Sequence, residues 1–263
     1  VQRPPHIDRI LTQTASAVRH RAQLVLWTGG VGRGKTMATA LLREQLATEY
    51  GTATAAQYLV AAGSDHHTGT ARQAAGTRLV YTEIVRPISL AKAREIGVPG
   101  MCRDVDEYCR AAGTRLLCVD EAGALSPEQL RGIAMITDLA RELDVPLTVL
   151  FVGMDGLARK IAQTPQVRRR VQRSFLFRDW PRADVAQFVL DHAPALRIAR
   201  DRAEFLEAVT ELQKHTGGEL SRLQTICQLL DERLGARPTD DPLVTAALLA
   251  DDLQQEWEDA LAT

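Results

Sequence analysis

Residues 24–36, Leu-Val-Leu-Trp-Thr-Gly-Gly-Val-Gly-Arg-Gly-Lys-Thr, run an apolar strand straight into the pattern G-x-x-x-x-G-K-T. That order predicts a phosphate-binding loop for ATP or GTP. Gly29, Gly30, Gly32 and Gly34 admit backbone angles closed to side chains, so the loop can curl its N–H groups inward around phosphate oxygens. A helix beginning near Lys35 aims the positive end of its dipole at the same anion. Lys35 then reaches the β- and γ-phosphates, and the Thr36 hydroxyl is a ligand for Mg²⁺. A chance glycine-rich turn is the bland alternative; the helix-compatible Met37-Ala-Thr-Ala-Leu-Leu that follows and a second motif both count against it.

The second motif is Arg115-Leu-Leu-Cys-Val-Asp-Glu121, an apolar run ending in two acids. A strand tip delivers both acids together. Asp120 is placed to hold Mg²⁺ through its water shell, and Glu121 to orient or deprotonate the water that attacks the γ-phosphate. Taken alone, Asp-Glu also fits a helix N-terminus, where acids favour the dipole. Paired with the glycine-rich loop, it reads as the catalytic half of a nucleotide triphosphatase.

The chain has 263 residues, enough for one α/β domain of ordinary size and a smaller one. Its 32 basic and 33 acidic residues leave a net charge of −1, so any nucleic-acid contact must come from a local patch. Cys102, Cys109, Cys118 and Cys227 lack metal-ligand spacing and read as free thiols. No apolar stretch approaches the roughly 18 residues that span a bilayer. The expected home is the cytoplasm, although the first residue is Val1 and a targeting segment upstream stays open.

Along the chain, strand and helix alternate to about residue 180 and the pattern then turns helical. The expected division is a nucleotide-binding α/β domain over 1–180 and a helical lid over 181–263. Residues 6–20 place Ile7, Ile10, Leu11 and Val18 on one helical face. Strands are expected at 24–27, 55–62, 78–85, 115–119, 147–152 and 174–177, and helices at 35–49, 89–96, 104–112 and from Ser126-Pro127-Glu128 to about Leu143. His66 and His67 fall in a polar stretch and fit a solvated loop tip better than a metal site. Further helices are expected at 182–191, 201–215, 219–234 and 242–261, with a break at Thr216-Gly-Gly218.

Three groups of residues stay open on the sequence alone. Val167-Arg-Arg-Arg-Val-Gln-Arg173 reads as an arginine finger for a neighbouring subunit, a path for phosphate backbone, or a solvated helix face. Arg222 either touches nucleotide from the lid or is an ordinary surface arginine. Arg86 and Lys92 are candidates for DNA phosphates by position and charge only.

The order of glycine-rich loop, Asp-Glu strand tip, Val-Gly strand end, arginine before a final strand and Gly-Gly-x-x-x-Arg in a helical lid resembles the AAA+ ATPases over nearly the whole chain. Leu117-Cys-Val-Asp-Glu-Ala-Gly-Ala-Leu-Ser-Pro-Glu128, Leu150-Phe-Val-Gly-Met-Asp-Gly-Leu157 and Gln166-Val-Arg-Arg-Arg-Val171 are most similar to the transposition regulators TnsC, TniB and MuB, and the secretion ATPase ExeA shares much of the pattern. The resemblance implies a P-loop fold with a parallel sheet flanked by helices and a small all-helical lid. It implies ATP and Mg²⁺, with nucleotide along Gly29, Gly30, Val31, Gly32, Arg33, Gly34, Lys35, Thr36 and Met37. It also implies Asp120 and Glu121 as the Walker B pair, Arg170 as the arginine finger ahead of Arg168, Arg169 and Arg173, and Arg222 in the sensor-2 place. Two departures stand out: Gly123 follows Asp-Glu-Ala where many relatives carry a polar residue, and Met154 stands where sensor 1 is usually polar. Slow hydrolysis is the expected consequence.

Such regulators form rings or filaments on duplex DNA through backbone contacts, mark a target, and recruit a transposase, sometimes with a separate target selector. A nucleotide switch without DNA, a secretion-associated ExeA-like motor and a replication-initiator ATPase are the other readings. The third is weakened because the helical tail shows no evident winged helix.

Overall fold

Leu24–Gly29 forms β1, and every one of its residues is buried, as an unbroken apolar run in a parallel sheet should be. The computed structural model of the protein describes residues 5–61, 80, 98–193, 196, 205–216, 218–236, 241 and 246. Strands β2 (Ala56–Val60), β3 (Leu116–Asp120), β4 (Thr148–Gly153) and β5 (Val171–Phe177) complete a sheet of order β2-β3-β4-β1-β5. All pairings are parallel. The expected α/β class with a parallel sheet flanked by helices is therefore what the chain adopts.

The helices before the last strand are α1 (Pro5–Arg19), α2 (Lys35–Tyr50), α3 (Val98–Ala112), α4 (Pro127–Glu142), α5 (Asp155–Ala162) and the short α6 (Pro165–Arg168). The stripe read on α1 is buried: Ile7, Leu11 and Val18 are at most 3% exposed. The α1 hydroxyl of Thr14 accepts a hydrogen bond from the Trp27 indole at 3.0 Å, tying that helix to the central strand. At the start of α4 the Ser126 hydroxyl accepts from the Gln129 amide, and the Gln129 side chain accepts from the Ser126 amide. With Pro127 in the first turn, this capping box explains why the helix begins where the sequence places it.

Two elements differ from expectation. Helix α3 starts at Val98 and not at 104, because Pro99 falls in the first turn, where its missing N–H costs nothing. Strand β5 starts at Val171, three residues before the expected strand. Its polar Gln172 and Arg173 are exposed, yet their backbone pairs with β1 across a register shift between Leu24 and Val25.

The chain divides into two compact units. One comprises 9–30 and 35–177 and carries the sheet; the other comprises 1–8, 31–34 and 178–263. In the second, α7 (Arg182–His192), α8 (Phe205–Thr216) and α9 (Leu220–Ala236) pack on one another. Trp180 is fully buried and meets Phe188 edge to face, with ring centroids 5.5 Å apart. Leu223, Ile226, Cys227 and Leu230 form the buried face of α9, as their helical spacing predicts. All four cysteines are buried free thiols. The strand expected over 78–85, the helices over 89–96 and 242–261, His66, His67, Arg86 and Lys92 lie outside the described residues, apart from isolated positions. No helix among the described residues is long and apolar enough to cross a membrane.

Candidate functional site

In a parallel sheet the carboxyl ends of all strands share one edge, and the segments that leave β1, β3 and β4 start there. The chain leaves β1, crosses to the far edge at β2, and returns through β3 and β4. Val119 lies beside Phe151, and Phe151 beside Leu26, so Asp120 is level with Trp27. Two strand spacings, roughly 10 Å, separate those positions. The glycine-rich loop and the Asp-Glu pair thus emerge on the same edge.

Close packing explains the first glycine of the loop. Gly29 lies opposite Phe177 of β5, and a Cβ at Gly29 would sit 2.4 Å from the Phe177 carbonyl oxygen. Gly32 and Gly34 take φ of 70° and 86°, the left-handed region that glycine enters without strain. The Gly32 carbonyl accepts from the Leu220 amide at 2.8 Å, and a Cβ on Gly32 would come within 3.1 Å of the Glu219 side chain. Arg33 pairs with Asp179 at 2.6 Å. The Lys35 ammonium donates to the carbonyls of Gly29 at 2.7 Å and Gly30 at 2.6 Å, which holds the charge at the loop. Val31 and Thr36 are exposed, and Met37 is half-buried.

The two acids have different surroundings. Asp120 closes β3, is only 7% exposed and has a donor on each oxygen: the Glu121 amide on Oδ1 at 2.8 Å and the Tyr58 hydroxyl on Oδ2 at 2.6 Å. Glu121 is exposed and takes φ 52°, ψ 30°, a left-handed conformation costing a non-glycine residue about 1–3 kcal/mol. Burial, then the bond to Asp120, pushes the Tyr58 phenol above its ordinary range. Burial likewise raises the Cys118 thiol, so this cysteine beside the site is an inert packing residue.

Downstream, Lys160 of α5 donates to the carbonyl oxygens of Gly123 and Leu125, at 2.7 Å for the latter, and clasps the turn that follows Glu121. Met154 at the β4 tip is 51% exposed and makes no side-chain cap for α5. Arg222 pairs with Glu219 at 3.0 Å, three residues before it and beside Gly32.

Arg170, the expected arginine finger, is buried and paired within its own chain. The residue is 7% exposed, and its guanidinium donates from Nε to Asp138 Oδ1 at 2.8 Å, from a second nitrogen to Asp138 Oδ2, and from the third to the Gln166 carbonyl. All three nitrogens are turned inward, an arrangement that makes Arg170 a clamp between α4 and the turn before β5. Arg168 and Arg169 next to it are exposed and have no ion-pair partner among the described residues. Arg170→Ala should therefore cost about 2 kcal/mol of stability, less than the 3–5 kcal/mol for breaking a fully buried pair because Asp138 keeps 40% of its side chain in solvent. Urea unfolding of the purified variant checks the loss.

Thr36 in the first turn of α2 and Asp120 at the end of β3 carry a hydroxyl and a carboxylate, hard oxygens of the kind Mg²⁺ takes. Among the described residues no group of three or more His, Cys, Asp or Glu offers another metal a site. Sequence reasoning missed Tyr58 and Lys160, which act through contacts 62 and 37 residues away along the chain. The alternation of β2 made Tyr58 visible as a strand residue but not as a partner of Asp120.

Comparison with known proteins agrees with this architecture. The ORC2 protein of Aeropyrum pernix is 12% identical with a TM-score of 0.65, over 95% of this chain and 69% of that one. Cdc6p of Pyrobaculum aerophilum is 15% identical with a TM-score of 0.61, over 90% and 64%. The A. pernix ORC1 protein in complex with DNA is 14% identical with a TM-score of 0.58, over 95% and 65%. At such identities the likeness is one of fold, and the chain spans about two thirds of the length of these proteins. No curated protein matches the chain. A family model described as an AAA domain matches residues 18–161, from the end of α1 through β1, the glycine-rich loop and the Asp-Glu tip to α5, and the chain belongs to the AAA domain family.

Proposed function

We propose that this chain is an ATP-hydrolysing, DNA-binding AAA+ regulator of transposition, which assembles on duplex DNA with ATP, marks a target and recruits a transposase. The observation that carries the reading is the shared sheet edge where β1, which runs into the glycine-rich loop, and β3, which ends in Asp120, finish about two strand spacings apart. In this reading residues 1–180 form the nucleotide domain and 181–263 the lid, in the cytoplasm. Gly29 to Met37 hold the triphosphate, with Lys35 on its outer oxygens. Thr36 and Asp120 hold Mg²⁺, the latter through water. Bound Mg²⁺ supplies charge neutralisation at the γ-phosphate. Glu121 orients the attacking water and accepts its proton, and Arg222 leaves Glu219 to meet the nucleotide. Arg168 or Arg169 serves as the finger in trans, which makes hydrolysis depend on a neighbour.

The three stretches most similar to TnsC, TniB and MuB support transposition as the biological setting, and the A. pernix ORC1 protein, which shares the fold, forms a complex with DNA. A net charge of −1 requires the contacts to come from a local basic surface directed at the phosphate backbone. ATP turnover measured with duplexes of unrelated sequence tests this. The expected result is a rise of about tenfold or more that is equal for each sequence and fades with salt. A rate indifferent to DNA would favour a nucleotide switch whose partner is protein.

A further inference from the structure

We propose that Tyr58 is a positioning residue for the divalent-metal site, fixing the Asp120 carboxylate in the orientation that receives a metal-bound water; the proposal rests on the reading of Asp120 as the metal-side acid. The Glu121 amide takes Oδ1 at 2.8 Å and the Tyr58 hydroxyl takes Oδ2 at 2.6 Å, so both oxygens are held and the plane of the group is set. An ionised carboxylate has about four lone-pair sites, and two remain for water.

The sheet register explains why tyrosine is needed. Val60, not Tyr58, lies opposite Asp120; Tyr58 lies opposite Cys118, two residues earlier. The phenol must therefore reach along the strand to meet the acid, and phenylalanine would fill the space without the donor. The ring is held in turn by α2, whose Arg43 guanidinium lies 5.5 Å from the ring centroid. Arg43 follows Thr36 by seven residues, two helical turns, so both project from one side of the helix. One rigid helix thus carries the hydroxyl on the metal side of the loop and the cation that steadies Tyr58. Tyr58 is half-buried, and its hydroxyl bonds the acid although solvent is within reach.

The test measures the affinity of a fluorescent, non-hydrolysable ATP analogue in EDTA and in saturating Mg²⁺, on the full chain carrying Tyr58→Phe, Asp120→Ala or both. The gain on adding Mg²⁺ should fall about tenfold in Tyr58→Phe, the lower end of the loss that follows removal of an outer partner of a metal ligand. Affinity in EDTA and the melting temperature should stay unchanged, which separates positioning from a merely structural role. In the Asp120→Ala background Tyr58→Phe should add nothing. A full Mg²⁺ gain in Tyr58→Phe, with the gain lost in Asp120→Ala, overturns the positioning role and leaves the metal reading intact. A gain that survives Asp120→Ala overturns both.

Discussion

Lys35→Ala should lower affinity for a fluorescent ATP analogue at least about 100-fold and abolish turnover. Two hydrogen bonds from an ammonium to phosphate oxygens contribute about 1.5 kcal/mol or more each, and about 3 kcal/mol corresponds to two powers of ten in affinity. The ammonium already stands at the loop, bonded to the Gly29 and Gly30 carbonyls, so little reorganisation precedes its use. The Gly30 carbonyl is half-exposed and can turn to water in the variant, while Gly29 is buried at the end of β1, so any loss of melting temperature should be small beside the loss of affinity. An affinity within threefold of the unchanged protein would remove Lys35 from the phosphate site.

Glu121→Gln should separate binding from chemistry. The amide keeps the size of the side chain and leaves the turn intact, including the Ala124 amide donating to the Glu121 carbonyl at 2.9 Å. What is lost is the proton acceptor, and a positioned general base contributes about 10²- to 10⁴-fold. Nucleotide affinity should stay within twofold while phosphate release falls by that factor. The left-handed backbone at Glu121 makes the assignment stricter. The surrounding turn, gripped by Lys160, holds a conformation that an acid would not choose by itself. If Glu121→Gln loses binding as Lys35→Ala does, Glu121 is part of the binding surface and not the base.

These residues also show how much of the site was legible before the fold was known. Leu24 to Thr36 and Arg115 to Glu121 were readable because their chemistry is local: each motif carries its own strand and its own reactive tip. The cap at Ser126 was readable for the same reason. The fate of Arg170 was not, because its partner Asp138 lies 32 residues away on α4 and only packing brings them together. Of the arginines in that cluster, Arg168, Arg169 and Arg173 are exposed, and the turn between α6 and β5 sends Arg170 alone inward. Strand β5 was underestimated because an edge strand with one wet face loses the apolar run that marks the central strands. Tyr58 shows the remaining gap: β-propensity identifies a strand residue, and only the parallel register shows that its hydroxyl can reach the acid on the next strand.

In the proposed function, Arg168 or Arg169 would tie the nucleotide site to assembly. An arginine that completes a neighbour's site makes the subunit contact depend on the γ-phosphate, and a head-to-tail contact that does not close generates a helix. Electron microscopy of the protein with duplex DNA, with and without a slowly hydrolysed ATP analogue, tests that claim most directly. Regular rings or helices centred on DNA should appear with the analogue and be absent without it. Dispersed particles in both conditions, from protein shown to bind the analogue, would contradict the account.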